Sequence, residues 1–373
     1  MRKQMLGSAF AALGFALSLS AREPHQESRI SLAPASPQPQ PVASLALSES
    51  PPSGQEEAAW ASVAFTSETS IAVGVCLRDF FNQKCSLVLV RWQGGALQPF
   101  AQTLRFDLGV SVYPASDGRI LAVQRLSPKF VYSADLSTVH DLPKELSRFF
   151  SQTGKTVAEW APGSWKLYHL SDRLEPIREG TGNLQFVSDE VVLIQDGKVM
   201  RVETLDGTRL GSFSAPAGGY YASGSMGNNK LYLDDCKSLR IVDFDGKTLT
   251  KMRKECSAGD TSPSADGRRV LFDFTNHKSS GLKHVLESVQ TITTLGMAGP
   301  EDVNHEEVRV IDTATGKACF DWHRSFPATL YSRVRSAAMS PSGEFVAIVE
   351  KGKLSIYRLP SDCDDSVLVS PNK

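Results

Sequence analysis

The sequence predicts an all-β protein, a seven-bladed β-propeller of four-stranded antiparallel blades. Three observations carry that expectation. The stretch SPSGEFVAIVEKGKLSIYRLP, residues 340–360, reads as a tight turn, an apolar strand, a second turn and an alternating strand, and both halves recur upstream. The copies keep a regular interval along the chain. A unit of four short strands cannot bury its apolar faces alone, whereas a closed ring of such units can, and closure also limits exposed strand edges.

From the N-terminus, MRKQ is a short positive segment and MLGSAFAALGFALSLS an apolar one, with small residues at Ser18, Ser20 and Ala21 as cleavage sites. Residues 1–21 therefore read as a signal peptide. The expected location is secreted or periplasmic, with an uncleaved N-terminal anchor as the alternative. The apolar run falls short of the roughly 20 residues of a membrane span, so no stable membrane insertion is expected after cleavage. Residues 22–58 carry seven prolines and few large apolar side chains, and read as a flexible linker. Within it VASLALS, residues 42–48, alternates well enough to supply a strand.

The repeats occupy residues 59–373. KLSIYRLP has six earlier relatives: SLVLVRWQGGALQPF, KFVYSADLSTVHDLP, WKLYHLSDRLEPI, KVMRVETLDGTRLGSF, SLRIVDFDGKTLTKM and EVRVIDTATGKACFDW. Each is a period-2 strand followed by a polar turn. Asp206-Gly207 and Asp245-Gly246 mark hairpins, because both central residues must tolerate positive φ. SPSGEFVAIV is echoed by SADGRRVLFDF, SMGNNKLYL, SDEVVLI, SQTGKTVAEW and ASDGRILAV, with TSETSIAVGV as a looser first copy. Turn positions Gly118, Gly154, Asp189, Asn228 and Gly267 lie 36, 35, 39 and 39 residues apart, and Gly267 to Gly343 spans 76. The excess is an insertion at 277–306, between a second strand and its third. Removing it restores the period and leaves seven units. The last lacks a fourth strand after Pro360. Residues 42–48 from the linker, or residues 366–369, can complete it.

The turns at Ser340, Ser264 and Ser116, each followed by a strand of alternating apolar residues, resemble those of WD40-like, TolB-type and YVTN-type propeller repeats. The resemblance covers roughly residues 59–369 and implies the architecture. It implies little about activity, because one fold hosts many functions. No Trp-Asp dipeptide ends a third strand and no Gly-His opens a repeat, so WD40 partners are not carried over.

Charge and motifs restrict the chemistry. Formal net charge is −1, from 40 basic and 41 acidic residues with no Lys/Arg block, so neither nucleic acid nor an anionic membrane is an expected partner. Nucleophile-elbow, phosphate-loop and HExxH patterns are all missing. No cofactor is expected, and the five tryptophans lack the period of a quinone-binding propeller. His277, His284 and His305 with Asp302 could surround a metal at the insertion, but no close histidine pair supports that over a solvated loop. The reading is a non-catalytic binding or scaffold propeller for a protein, peptide or glycan. The alternative is a channel-centred hydrolase, lactonase-like, or an oxidoreductase.

Six cysteines are present, an even number that favours disulfides in an oxidising compartment. Cys76 and Cys85 face each other across a hairpin. Cys236 and Cys256 bracket the last two strands of unit five, and Cys319 with Cys363 is the pair left over. Sequence alone leaves the connectivity open. A staple at Cys76–Cys85 would present Phe80 and Phe81 on a loop between Arg78, Asp79 and Lys84, either as a binding element or folded over the blade edge. That loop, residues 77–84, and the insertion at 277–306 both join second to third strands. They belong to units one and six, separated in a seven-membered ring only by unit seven. Arg78, Phe80, Phe81, Lys84, His284 and His305 are accordingly expected to contribute to one partner-binding surface.

Overall fold

The computed structural model describes residues 39–47, 60–78, 83–106, 110–115, 118–124, 129–142, 146–151, 154–171, 173–215, 220, 222–235, 238–253, 258–278, 303–327, 336–350 and 352–363. All lie within the unit Pro37–Lys373. They form 28 strands and seven four-stranded antiparallel sheets, with no α-helix among the described residues.

Blade 1 is β2 (Trp60–Ser67), β3 (Ser70–Arg78), β4 (Gln83–Gln93) and β5 (Ala96–Phe106). Blade 2 is β6 (Val110–Pro114), β7 (Ile120–Gln124), β8 (Lys129–Tyr132) and β9 (Val139–Leu142). Blade 3 is β10 (Leu146–Phe150), β11 (Thr156–Ala161), β12 (Ser164–Leu170) and β13 (Leu174–Thr181). Blade 4 is β14 (Asn183–Val187), β15 (Val191–Asp196), β16 (Val199–Thr204) and β17 (Arg209–Ser214). Blade 5 is β18 (Ala222–Ser225), β19 (Lys230–Asp234), β20 (Ser238–Asp243) and β21 (Thr248–Arg253). Blade 6 is β22 (Ala258–Pro263), β23 (Arg269–Lys278), β24 (Val303–Asp312) and β25 (Ala318–Pro327). Blade 7 combines β26 (Ala337–Met339), β27 (Phe345–Glu350) and β28 (Lys353–Arg358) with β1 (Ala43–Ala46), which pairs antiparallel with β28 in the register Ala43↔Ile356 to Ala46↔Lys353.

The core lies between blades. Seven clusters of buried apolar side chains each join two neighbouring sheets, one cluster per seam. At the seam of blades 4 and 5, for instance, Leu193, Met200 and Val202 pack against Leu231, Leu233 and Val242. Alternation along each strand sends side chains to both faces of a sheet, and each face meets a different neighbour. That is why the middle strands read as continuous apolar runs, such as VVLI at 191–194, rather than as strict alternation. First strands are innermost: the β2 side chain Ser62 Oγ accepts the Val112 backbone N–H of β6 at 3.0 Å. Fourth strands are outermost and expose Phe100, Ile177, Leu210 and Leu249.

The turns between first and second strands explain the recurring serine and glycine. In blades 3, 6 and 7, Ser151, Ser264 and Ser340 each accept, through Oγ, the backbone N–H five residues on, at 3.0–3.1 Å. Gly154, Gly267 and Gly343 return an N–H to the serine carbonyl three residues back. Gly154 has φ +67°, and a Cβ there would come 2.6 Å from the Pro114 carbonyl of blade 2. Both turn geometry and close approach of the neighbouring blade therefore require glycine. Adjacent turns also bond to each other: Ala265 N–H to Pro341 O at 2.8 Å, and the Ser342 hydroxyl to Glu68 Oε2 at 2.9 Å across the closure between blades 7 and 1.

Candidate binding face

Antiparallel alternation puts the second-to-third loops and the links between blades at one end of every sheet, the hairpin face. First-to-second and third-to-fourth turns lie at the other end, the turn face. Most blades are low. In blade 4 the second and third strands have six residues each, paired from Val191↔Thr204 to Asp196↔Val199. Two blades are tall. In blade 1 the β3–β4 ladder runs from Ser70↔Arg91 to Arg78↔Gln83, and in blade 6 the β23–β24 ladder runs from Arg269↔Asp312 to Lys278↔Val303. The four extra residues of β23 over β15 extend it by roughly 13 Å towards the hairpin face, at about 3.3 Å per residue. The two tall hairpins therefore stand on either side of blade 7.

At the base of the blade 6 hairpin is a buried polar node. Asp273 of β23 and Glu306 of β24 are 5% and 3% exposed. Ser336, immediately before β26 and 3% exposed, brings its hydroxyl to Asp273 Oδ2 at 3.2 Å and to Glu306 Oε1. Arg324 of β25 donates through Nε to Glu306 Oε2 and lies 6.0 Å over the Trp322 ring. A hydroxyl has one proton, so Ser336 serves one carboxylate at a time. Nearer the turn face, Phe272 and Phe274 stack with centroids 5.5 Å apart, and Arg309 bridges Glu307 and Asp321. The node ties three strands of blade 6 to the start of blade 7. Hydrogen-bonded in this way, it forms a charged anchor between the two blades.

The predicted site residues are only partly placed. Arg78 ends β3 opposite Gln83, and Lys84 of β4 lies opposite Leu77. His305 sits in β24 between Asn276 and Ser325. Phe80, Phe81 and His284 lie outside the described residues. His277 is a strand residue opposite Asn304. Among the cysteines, Cys319 and Cys363 are bonded, with Cα atoms 4.5 Å apart. Cys85 is disulfide-bonded and 1% exposed, and the register sets Cys76 directly opposite it. Cys236 and Cys256 fall outside the described residues. Sequence reasoning missed the node. One signal was available: Glu306 has the parity of the buried Val308 and Val310, so alternation turns it inward.

No protein-family model and no curated protein matches this chain. Among solved structures it is similar to Sqt1 from Chaetomium thermophilum, 11% identical over 86% of this chain and 99% of that one, with a TM-score of 0.47. It is also similar to Sqt1 from the same organism bound to the N-terminus of the ribosomal protein L10, 11% identical over 82% and 100% of the two chains, with a TM-score of 0.44. The expected secreted or periplasmic location, with its anchored alternative, is corrected at this point. That second structure holds the N-terminus of a ribosomal protein, and the location is not carried forward. The architecture itself is a seven-bladed β-propeller of four-stranded antiparallel blades.

Proposed function

We propose that this protein is a non-catalytic binding propeller that grips a protein or peptide segment on its hairpin face, over blade 7. The observation that carries the reading is the pair of tall hairpins flanking one low blade, the second fixed at its base by the Asp273–Glu306–Ser336–Arg324 node. A rigid rise on each side of a short blade makes a trough for an extended chain, and loops freed from the repeat are where binding residues accumulate. Residues 77–84 and 277–306 form the rims, with Arg78, Phe80, Phe81, Lys84, His284 and His305 as contact residues. Aromatic side chains between basic ones suit a peptide that is part apolar and part acidic.

A photo-reactive residue placed at position 81, with Leu249→photo-reactive residue on the outer edge of blade 5 as control, tests this. Cross-links at position 81 to protease-sensitive material, missing at position 249, are the expected result. Equal labelling at both positions removes the proposed surface, and protease-resistant carbohydrate at position 81 replaces the peptide with a glycan.

A further inference from the structure

The turn face carries a second feature that the hairpin face does not explain. A cleft of about 650 Å³ opens between blades 6 and 7, and three guanidinium groups, Arg268, Arg269 and Arg358, line it. One wall is the segment that follows β28, Leu359, Pro360 and Ser361. This segment is a strap. Its near end is fixed by Leu359, 5% exposed, whose N–H donates to Glu344 O at 2.8 Å. Its far end is fixed by Cys363, bonded to Cys319 near the start of β25, so it crosses from blade 7 to the outer strand of blade 6.

Arg269 holds the middle of the strap. Nη1 donates to Gly343 O at 2.7 Å, while Nη2 donates to Ser361 O at 3.0 Å and to Pro360 O. Two neutral carbonyls thus occupy the edge of the guanidinium that a carboxylate would take. The arginine already lends its charge to these bonds, and a carboxylate adds the opposite charge and a bidentate fit to the guanidinium fork. A carboxylate therefore displaces the strap carbonyls once the far end of the strap is loose. Two carboxylates also line the cleft, Asp266 and Glu344. Asp266 is already committed to its own turn, accepting the Ser264 hydroxyl at 2.6 Å and the Arg268 N–H at 3.0 Å. The cleft is of small-molecule or short-peptide size rather than ion size.

We propose that this cleft is a binding site for an acidic peptide, narrowed by the strap that covers Arg269 and widened by reduction of the Cys319–Cys363 disulfide. Cys319 is 4% exposed and Cys363 is half-buried, so the thiolate of a dithiol reductant attacks the Cys363 sulfur. The Cys319 sulfur leaves and takes a proton. The second thiol of the reductant then displaces Cys363 from the mixed disulfide. One protein disulfide becomes two thiols and the dithiol becomes a disulfide. The site is independent of the hairpin face, on the opposite end of the ring.

The test uses the full chain and a fluorescein-labelled octapeptide of alternating aspartate and alanine, with its asparagine counterpart, read by anisotropy. The reduced protein, and Cys363→Ser without reductant, should bind the acidic peptide at least about tenfold more tightly than the oxidised protein. Arg358→Ala should reverse most of that gain. Equal affinity in the oxidised and reduced states overturns the gate. Equal affinity for the asparagine peptide overturns the charge assignment, and no binding in any state overturns both. Hydrogen exchange guards against unfolding as the cause: on reduction, amides at 361–363 should exchange at least about tenfold faster while those of β27 stay protected. Loss of protection in β27 as well means that the strap is only structural.

Discussion

Blade 4 and blade 6 are built on the same repeat and solve different problems. Blade 4 has strands of five or six residues joined by short turns, and its buried side chains are apolar throughout. Blade 6 has three strands of ten residues and buries Asp273 and Glu306 among them. Burying a carboxylate costs free energy unless it is paired and hydrogen-bonded, so a blade that only had to close the ring would not keep two. On the function proposed above, the low blade is a spacer and the tall one a mounted projection with a charged foot.

The largest effect should come from breaking that foot. Glu306→Ala takes from Arg324 its buried Glu306 carboxylate, leaves Ser336 with Asp273 alone, and should cost about 4 kcal/mol in chemical denaturation. A loss below about 1 kcal/mol would reduce the node to a solvated surface pair. Leu193→Ala in blade 4, where the side chain is 0% exposed, should cost about 3 kcal/mol through the cavity at the seam with blade 5. The two variants differ in character: Glu306→Ala should weaken cross-linking at position 81, and Leu193→Ala should leave it unchanged in the folded fraction.

Replacing residues 279–302 with Asn-Gly sharpens the comparison further. If the projection is separable from the ring, stability should move by less than about 1 kcal/mol, since long loops add little closure entropy. Binding on the hairpin face should fall. The smallest effect concerns a turn of blade 4. The Thr204 hydroxyl and the Thr208 N–H hold the Asp206 carboxylate below its ordinary value of 3.8. Its folded pKa is depressed, so its contribution is present above the unfolded value and fades as pH falls through the folded one. Carboxyl chemical shifts should report a midpoint below 3.8 for Asp206, and Asp206→Asn should remove only that acid-side change. A midpoint at or above 3.8 would show that the turn does not select the charged form.

Blade 4 was almost wholly legible. The run VVLI, the glycine turn at Gly197 and the pair Asp206-Gly207 give strand, turn, strand, turn from local chemistry alone. Blade 6 was legible in outline only. Its insertion stands out as a break in the period, yet β23 and β24 continue into that stretch as far as Lys278 and Val303. Asp273 was hidden inside the apolar run VLFDF, and Glu306 read as the edge of a polar loop. Their shared partner Ser336 is 30 residues beyond Glu306 and on another blade. Which polar groups meet across a seam depends on how two sheets stack, and no local pattern encodes that. The arginine cleft was illegible for the same reason, since Arg269 and Ser361 are 92 residues apart.

The seam that closes the ring has a further consequence, in time rather than in space. Ala43 pairs with Ile356, and 356 − 43 = 313 residues separate them. At synthesis rates of about 5–20 residues per second, the closing strand waits roughly 15–60 s for its partner. Through that interval Leu45 and Leu47, which pack against the closing seam in the finished ring, lack the blade 7 half of that seam. The edge of β28 is in turn open until the N-terminal segment returns. The first strand made is thus the last to be placed, and each new molecule passes through a period in which its β1 can be taken by another chain's β28. Crowded synthesis is therefore the condition under which this ring is most exposed to mispairing.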